Sequence, residues 1–177
     1  MDIGVISVRY ARALLKCCAE SKVEDQVYQD MQCLADNYIA VPELRRTIDN
    51  PMVARDKKRG ILVAACGSNM NPVTERLINL VLQEGRENMA QFIANSYITL
   101  YRQQKNITRG KLTTAVPVTP AVEQKMRQMV ESRTNGTVEF TTAVDPDIIG
   151  GFVLEYDTYR MDTSVKSQFN NILKQLK

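Results

Sequence analysis

Apolar residues recur at three- and four-residue steps through the first hundred residues, a period that predicts helices throughout that stretch. The first runs from about Val5 to Glu20, with Asp2 and Ser7 as early capping candidates. The second, from about Val23 to Ile39, places Val27, Met31, Leu34 and Tyr38 on one face. VPELRRTIDNP predicts a short third helix, ended at Asn50-Pro51 because proline disfavours helical backbone in the residue before it. A fourth covers about Val53 to Cys66 and stops at Gly67. The fifth opens on Asn71-Pro72, a cap with proline in the first turn, and ends near Glu84-Gly85. The sixth carries Met89, Ile93, Tyr97, Leu100 and Tyr101 on one face and fades at QQKN. Connections this short fold neighbouring helices against one another, so residues 1–105 read as a six-helix bundle.

The period then changes. In KLTTAVPV, Leu112, Thr114, Val116 and Val118 alternate with smaller or polar residues, as in a strand; Pro117 puts that strand at an edge or ends its ladder. TPAVEQKMRQMVESR predicts a helix with Val122, Met126, Met129 and Val130 inward. Asn135-Gly136 turns the chain into a second strand with Val138, Phe140, Thr142 and Val144 on one side. Phe152, Leu154 and Tyr156 alternate again after Gly150-Gly151. A last helix, opening at Asp162-Thr163, is expected to bury Val165, Phe169, Ile172, Leu173 and Leu176. Residues 106–177 thus read as β-α-β-β-α, small for an independent core and expected to lean on something else. The fold class is mainly α with a small α/β tail.

Two helices carry more apolar surface than one buried stripe needs. On a helical wheel Arg9, Arg12, Lys16 and Glu20 share an arc of about 80°. Nearly everything else on the first helix is apolar: Ile6, Tyr10, Ala13, Leu14 and Cys17 on one side, Val8, Ala11, Leu15 and Cys18 on the other. That is roughly 240° of apolar surface, where a surface helix needs little more than 100°. On the fifth helix Val73, Leu77, Leu80 and Val81 form one stripe, with Glu84 at its edge, and Ile78 and Leu82 form a second. Two readings stay open. The first helix is the walled-in centre of the bundle, or one stripe packs the core while the other lines a groove for a partner's amphipathic helix.

Composition narrows the chemistry. At 177 residues the chain makes one ordinary domain or two small ones, and no apolar run approaches the roughly 18 residues that span a bilayer. A net charge of +3, with no basic run interleaved with aromatics, gives nucleic acid little to bind. The densest basic group, Arg55, Lys57, Lys58 and Arg59, reads as a solvated helix start. There is no histidine, which removes the commonest general base and metal ligand. Cys17, Cys18, Cys33 and Cys66 lack motif spacing and read as small buried hydrophobes with free thiols. VISVRYARALLKCC is basic and amphipathic like a mitochondrial presequence, but it doubles as the first packed helix, so no separate targeting segment is expected. A phosphate loop needs converging N–H groups at a helix start with a nearby lysine, whereas Gly150-Gly151 lead into a strand and serve as a structural turn. An enzyme lacks its nucleophile and base here; a helical-bundle adaptor binding an amphipathic helix in some other complex remains the alternative.

VDPDIIGGFVLEYDTYRMDTSVKSQFNNIL resembles the C-terminal signature of the delta subunit of F-type ATP synthases, the counterpart of the mitochondrial oligomycin sensitivity-conferring protein. Tyr10-Ala11-Arg12-Ala13 resembles that family's first helix, INLVLQEGRENMAQFI its fifth and sixth with Arg86 after the break, and LTTAVPVT the start of its C-terminal part. Tyr156 stands where the family often has glycine, so a wider hairpin is expected after the third strand; Gln168 and Phe169 replace the usual arginine and leucine. The resemblance implies a non-catalytic peripheral-stalk subunit, one copy per ATP synthase, without cofactor or metal. It implies a place on the cytoplasmic face of the bacterial cell membrane with no insertion into the bilayer. In that family the N-terminal bundle grips the N-terminal helix of an alpha subunit between its first and fifth helices. The C-terminal part meets the end of the b-type stalk subunit. Carried over residue by residue, this points to Tyr10, Ala13, Leu80 and Val81, with Leu77, Arg76 and Glu84 added from helical spacing.

Overall fold

The computed structural model describes residues 3–134, 136–156 and 158–175, so the Asp2 cap, the turn residue Asn135 and Leu176 lie outside the described residues. Contacts group the chain into two compact units, Met1–Tyr101 and Arg102–Lys177, dividing inside a helix rather than after Lys105.

The N-terminal unit is helical: α1 (Ile3–Ser21), α2 (Glu24–Ala40), α3 (Pro42–Asp49), α4 (Arg55–Cys66), α5 (Pro72–Gln83) and most of α6 (Ala90–Lys105). A single 3-10 turn, Glu87–Met89, precedes α6. The α2 face of Val27, Met31, Leu34 and Tyr38 is buried, as are Ile48, Leu62, Ile93 and Tyr97 of the other helices. Met89 and Leu100 are only half-buried. Local chemistry sets the ends of α5. The Asn71 side chain accepts from the Val73 N–H at 2.9 Å, with Pro72 in the first turn where its missing N–H costs nothing. At the far end Gly85 takes a φ of 62°, and the Gly85 and Arg86 N–H groups donate to Leu82 and Val81 carbonyls. This double closure is the Schellman stop, which favours glycine because a Cβ is strained at that φ. Buried Asp30 of α2 holds the start of α5, accepting from the Asn71 N–H at 2.9 Å and the Thr74 hydroxyl at 2.6 Å.

The C-terminal unit holds β1 (Ile107–Thr114), α7 (Pro120–Thr134), β2 (Thr137–Val144), β3 (Phe152–Tyr156), β4 (Tyr159–Asp162) and α8 (Val165–Gln175). The sheet order is β2-β1-β3-β4, with β1 parallel to β2 and antiparallel to β3. The β-α-β-β-α reading therefore lacked a strand. β4 was missed because four residues are too few to display a period, and Tyr156 pairs directly with Tyr159 in place of a wide hairpin. β1 is interior, not an edge: Leu112 stands opposite both Thr142 and Leu154. It ends at Thr114, so Val116, Pro117 and Val118 lie beyond the ladder, which proline could not have continued.

This unit closes a core of its own from Leu112, Val130, Val138, Leu154 and Tyr156, with Met126, Phe140 and Phe152 packed against it. Val122 and Met129 are exposed instead of inward, and on β2 the side that buries Val138 leaves Thr142 and Val144 exposed at its far end. On α8, Val165 is half-buried, but Phe169, Ile172 and Leu173 are 56%, 52% and 59% exposed, contrary to the expected burial. The helix nevertheless starts firmly. Asp162 accepts from the Ser164 N–H and from the hydroxyls of Ser164 and Ser167, bonds that hold its carboxyl below the usual aspartate range.

The glycine pair is architectural. Ile149 carries φ 69°, ψ −44°, and the Gly150 N–H returns to the Ile148 carbonyl at 2.8 Å, closing a three-residue turn. The Gly150 carbonyl then accepts from Val165 N–H at the start of α8. Gly151 has φ 74°, and a Cβ there would run into the Thr163 carbonyl oxygen. The turn packs two chain segments backbone to backbone and spends its polar groups internally.

Candidate functional site

α1 does not sit walled in. Its buried line is Ile6, Ser7, Ala11, Leu14 and Cys18. On one flank of that line Tyr10 is half-buried while Ala13 and Cys17 are exposed, so half of the apolar excess faces outward. α5, which packs against α1, buries Thr74, Ile78, Val81 and Leu82. Its core line thus runs between the two stripes read from the wheel. Val81 is 2% exposed and offers a partner no side-chain surface, which corrects its place among the groove residues. Leu80 is 45% exposed, with Arg76 and Glu84 exposed on the same side. Leu77 is half-buried and borders the core beside Met31, Leu34 and Ile78. The structure therefore leaves Tyr10, Ala13 and Leu80, with Arg76 and Glu84, on the accessible surfaces of α1 and α5.

The break between α5 and α6 ties these helices together. The Arg86 guanidinium donates from Nη1 to the Tyr10 hydroxyl at 2.8 Å, and its central carbon lies 5.7 Å from the ring centroid. The adjacent Glu87 accepts from Lys58 Nζ of α4 at 2.7 Å. Lys58 is buried, so it is not part of a solvated helix start. Burial pushes the Glu87 carboxyl up, but the Lys58 hydrogen bond and charge outweigh it and hold the group below the usual glutamate range. Both ties escaped the sequence reading. Lys58 had a signal: it falls four residues before Leu62, on the line that continues through Ala65 and Cys66. Arg86 pairs across 76 positions, which no local period reports.

Among the described residues no group of three Cys, Asp or Glu side chains could hold a metal ion. The four cysteines are free. Cys17 and Cys33 are exposed, not buried as expected, whereas burial pushes the Cys18 thiol up to about 11 and the Cys66 thiol up to about 12.

A family model described as ATP synthase delta (OSCP) subunit matches residues 6–176. The chain belongs to that family. The delta (OSCP) relatives include ATP synthase subunit delta of Phocaeicola vulgatus, 47% identical over 176 residues, covering 99% of this chain and 95% of the relative. That of Parabacteroides distasonis is 43% identical over 172 residues, covering 97% and 96%. A chain of the Toxoplasma gondii mitochondrial ATP synthase hexamer shares the fold, with a TM-score of 0.68 over 96% of both chains at 21% identity. As a delta (OSCP) subunit the protein is a non-catalytic part of the ATP synthase peripheral stalk. Among the described residues no helix is long and apolar enough to cross a membrane.

Proposed function

We propose that the accessible surface of α1 and α5 receives the N-terminal helix of an alpha subunit, and that the C-terminal unit engages the b-type stalk subunit. The observation that carries the first half is that α1 keeps an outward apolar flank while α5, which packs against it, keeps Leu80 exposed. An apolar strip on two adjoining helices suits an amphipathic helix with anchors at three- and four-residue steps. For the second half, α8 offers Phe169, Ile172 and Leu173 on one exposed face. One copy per complex, on the cytoplasmic side of a bacterial membrane, completes the reading.

The work is mechanical. A rotor turning inside the catalytic head drags on it, and a subunit gripping head and stator resists that drag. Burying about 700 Å² of apolar surface gives a gross driving force near 17 kcal/mol at about 25 cal/mol per Å². Ordering and association costs take much of this and still leave room for nanomolar affinity. Calorimetry of the full chain with a synthetic peptide of the alpha-subunit N-terminal helix tests the reading. Saturable one-to-one binding is expected, and absence of heat at micromolar concentrations would remove the alpha-subunit assignment.

A further inference from the structure

We infer that Arg86 is a positioning residue for the α1–α5 surface, fixing the Tyr10 ring against which a partner helix packs. The inference rests on the proposed reading of that surface and adds to it a residue that need not touch the partner. Tyr10 is half-buried at the inner edge of the outward flank of α1. An aromatic ring in such a place turns about two side-chain bonds, and freezing it on binding costs affinity. Arg86 freezes it beforehand. One guanidinium bonds the hydroxyl at 2.8 Å with its central carbon 5.7 Å from the ring centre, so the polar end of the ring is held and the cation stays within reach of its π system.

Arg86 can do this because its own backbone is pinned. Its N–H closes the end of α5 on the Val81 carbonyl at 2.9 Å, behind Gly85. The next residue, Glu87, is anchored on the buried Lys58 of α4. Three helices therefore converge on two consecutive residues of the break. Each tie has a stated partner: α5 through the backbone, α4 through Glu87, and α1 through Arg86. The geometry makes the break a rigid mount, with Tyr10 as the part that faces outward.

The test uses the full chain, the alpha-subunit N-terminal peptide and ring-labelled tyrosine. Arg86→Gln should shift and broaden the Tyr10 ring resonances and weaken peptide binding about tenfold, while the thermal midpoint stays near wild type. Arg86→Lys, which keeps the charge but not the planar fork, should recover part of the loss. Tyr10→Phe should cost about as much as Arg86→Gln, and the double variant little more than either, because both remove one interaction. Additive losses would mean that Arg86 contacts the partner directly and would overturn the inference, as would unchanged ring resonances in Arg86→Gln. Should Arg86→Gln unfold, Arg86→Lys carries the same cycle. A wild-type chain that ignores the peptide would count against the alpha-subunit reading alone, since the ring resonances still report whether Arg86 holds Tyr10.

Discussion

Gly150 and Gly151 are adjacent, yet only one is irreplaceable. Gly151 combines a φ of 74° with a backbone oxygen, that of Thr163, in the space of a Cβ; at Gly150 the nearest obstacle is a Val165 methyl group at 3.1 Å. Gly151→Ala should therefore destabilise the C-terminal unit by about 3 kcal/mol, and Gly150→Ala by under about 1 kcal/mol. Denaturant titrations of both variants check this, and equal midpoints would contradict it. Leu80 and Val81 make a second adjacent pair with opposite fates. Leu80→Asp places a charge where an incoming helix would bury apolar atoms, so peptide affinity should fall at least about a hundredfold with the melt unchanged. Val81 is in the core, and Val81→Asp should unfold the N-terminal unit. A Leu80→Asp chain that binds normally would exclude this position from the interface.

Among elements, α5 is the one most dependent on a distant group. Its first turn is held by a carboxylate on α2, Asp30, which accepts a backbone N–H and a hydroxyl away from water. Asp30→Ala leaves both donors unsatisfied and should cost about 2 kcal/mol, read as a lower thermal midpoint with helix content retained below it. No change on substitution would mean that water replaces the carboxylate. α8 contrasts with α5. Its start is capped mainly from close by, in the bonds from Ser164 and Ser167 to Asp162, with the Gly150 carbonyl added from the glycine turn, while its apolar face is left to whatever the complex supplies.

For the whole molecule, titration should reveal a weakness at alkaline pH. Burial raises the thiols of Cys18 and Cys66 and the phenols of Tyr38, Tyr97 and Tyr101, all in the N-terminal unit. Each group keeps its proton in the folded chain at a pH where the unfolded chain would release it. Their stabilisation is thus complete below the ordinary thiol and phenol values, about 8.5 and 10, and is lost as pH rises beyond them. Helix content of the N-terminal unit should fall above about pH 10, together with a cooperative rise in tyrosinate absorbance. A gradual phenol titration with intact helices would disprove the coupling. Glu87 acts at the other end: its depressed carboxyl contributes above the ordinary glutamate value, and that contribution fades as pH falls through the depressed one.

What the sequence determined by itself was local. The Asn71 cap and the Gly85 stop of α5 are set by bonds within a few residues, and the face of α2 and the change of period into β1 are written in the spacing of the apolar residues themselves. The structural role of the glycine pair was legible for the same reason, since the strand after it leaves no helix start to receive an anion. The wheel also showed that α1 and α5 carry apolar surface to spare. It could not say which part, because burial depends on what the other helices cover. The core line of α5 runs between its two stripes, taking Val81 and leaving Leu80. The Arg86–Tyr10 and Lys58–Glu87 ties likewise exist only once α1, α4 and the break meet. Phe169, Ile172 and Leu173 make the same point in reverse: an apolar face is a request for cover, and only the tertiary structure decides that this chain leaves it bare.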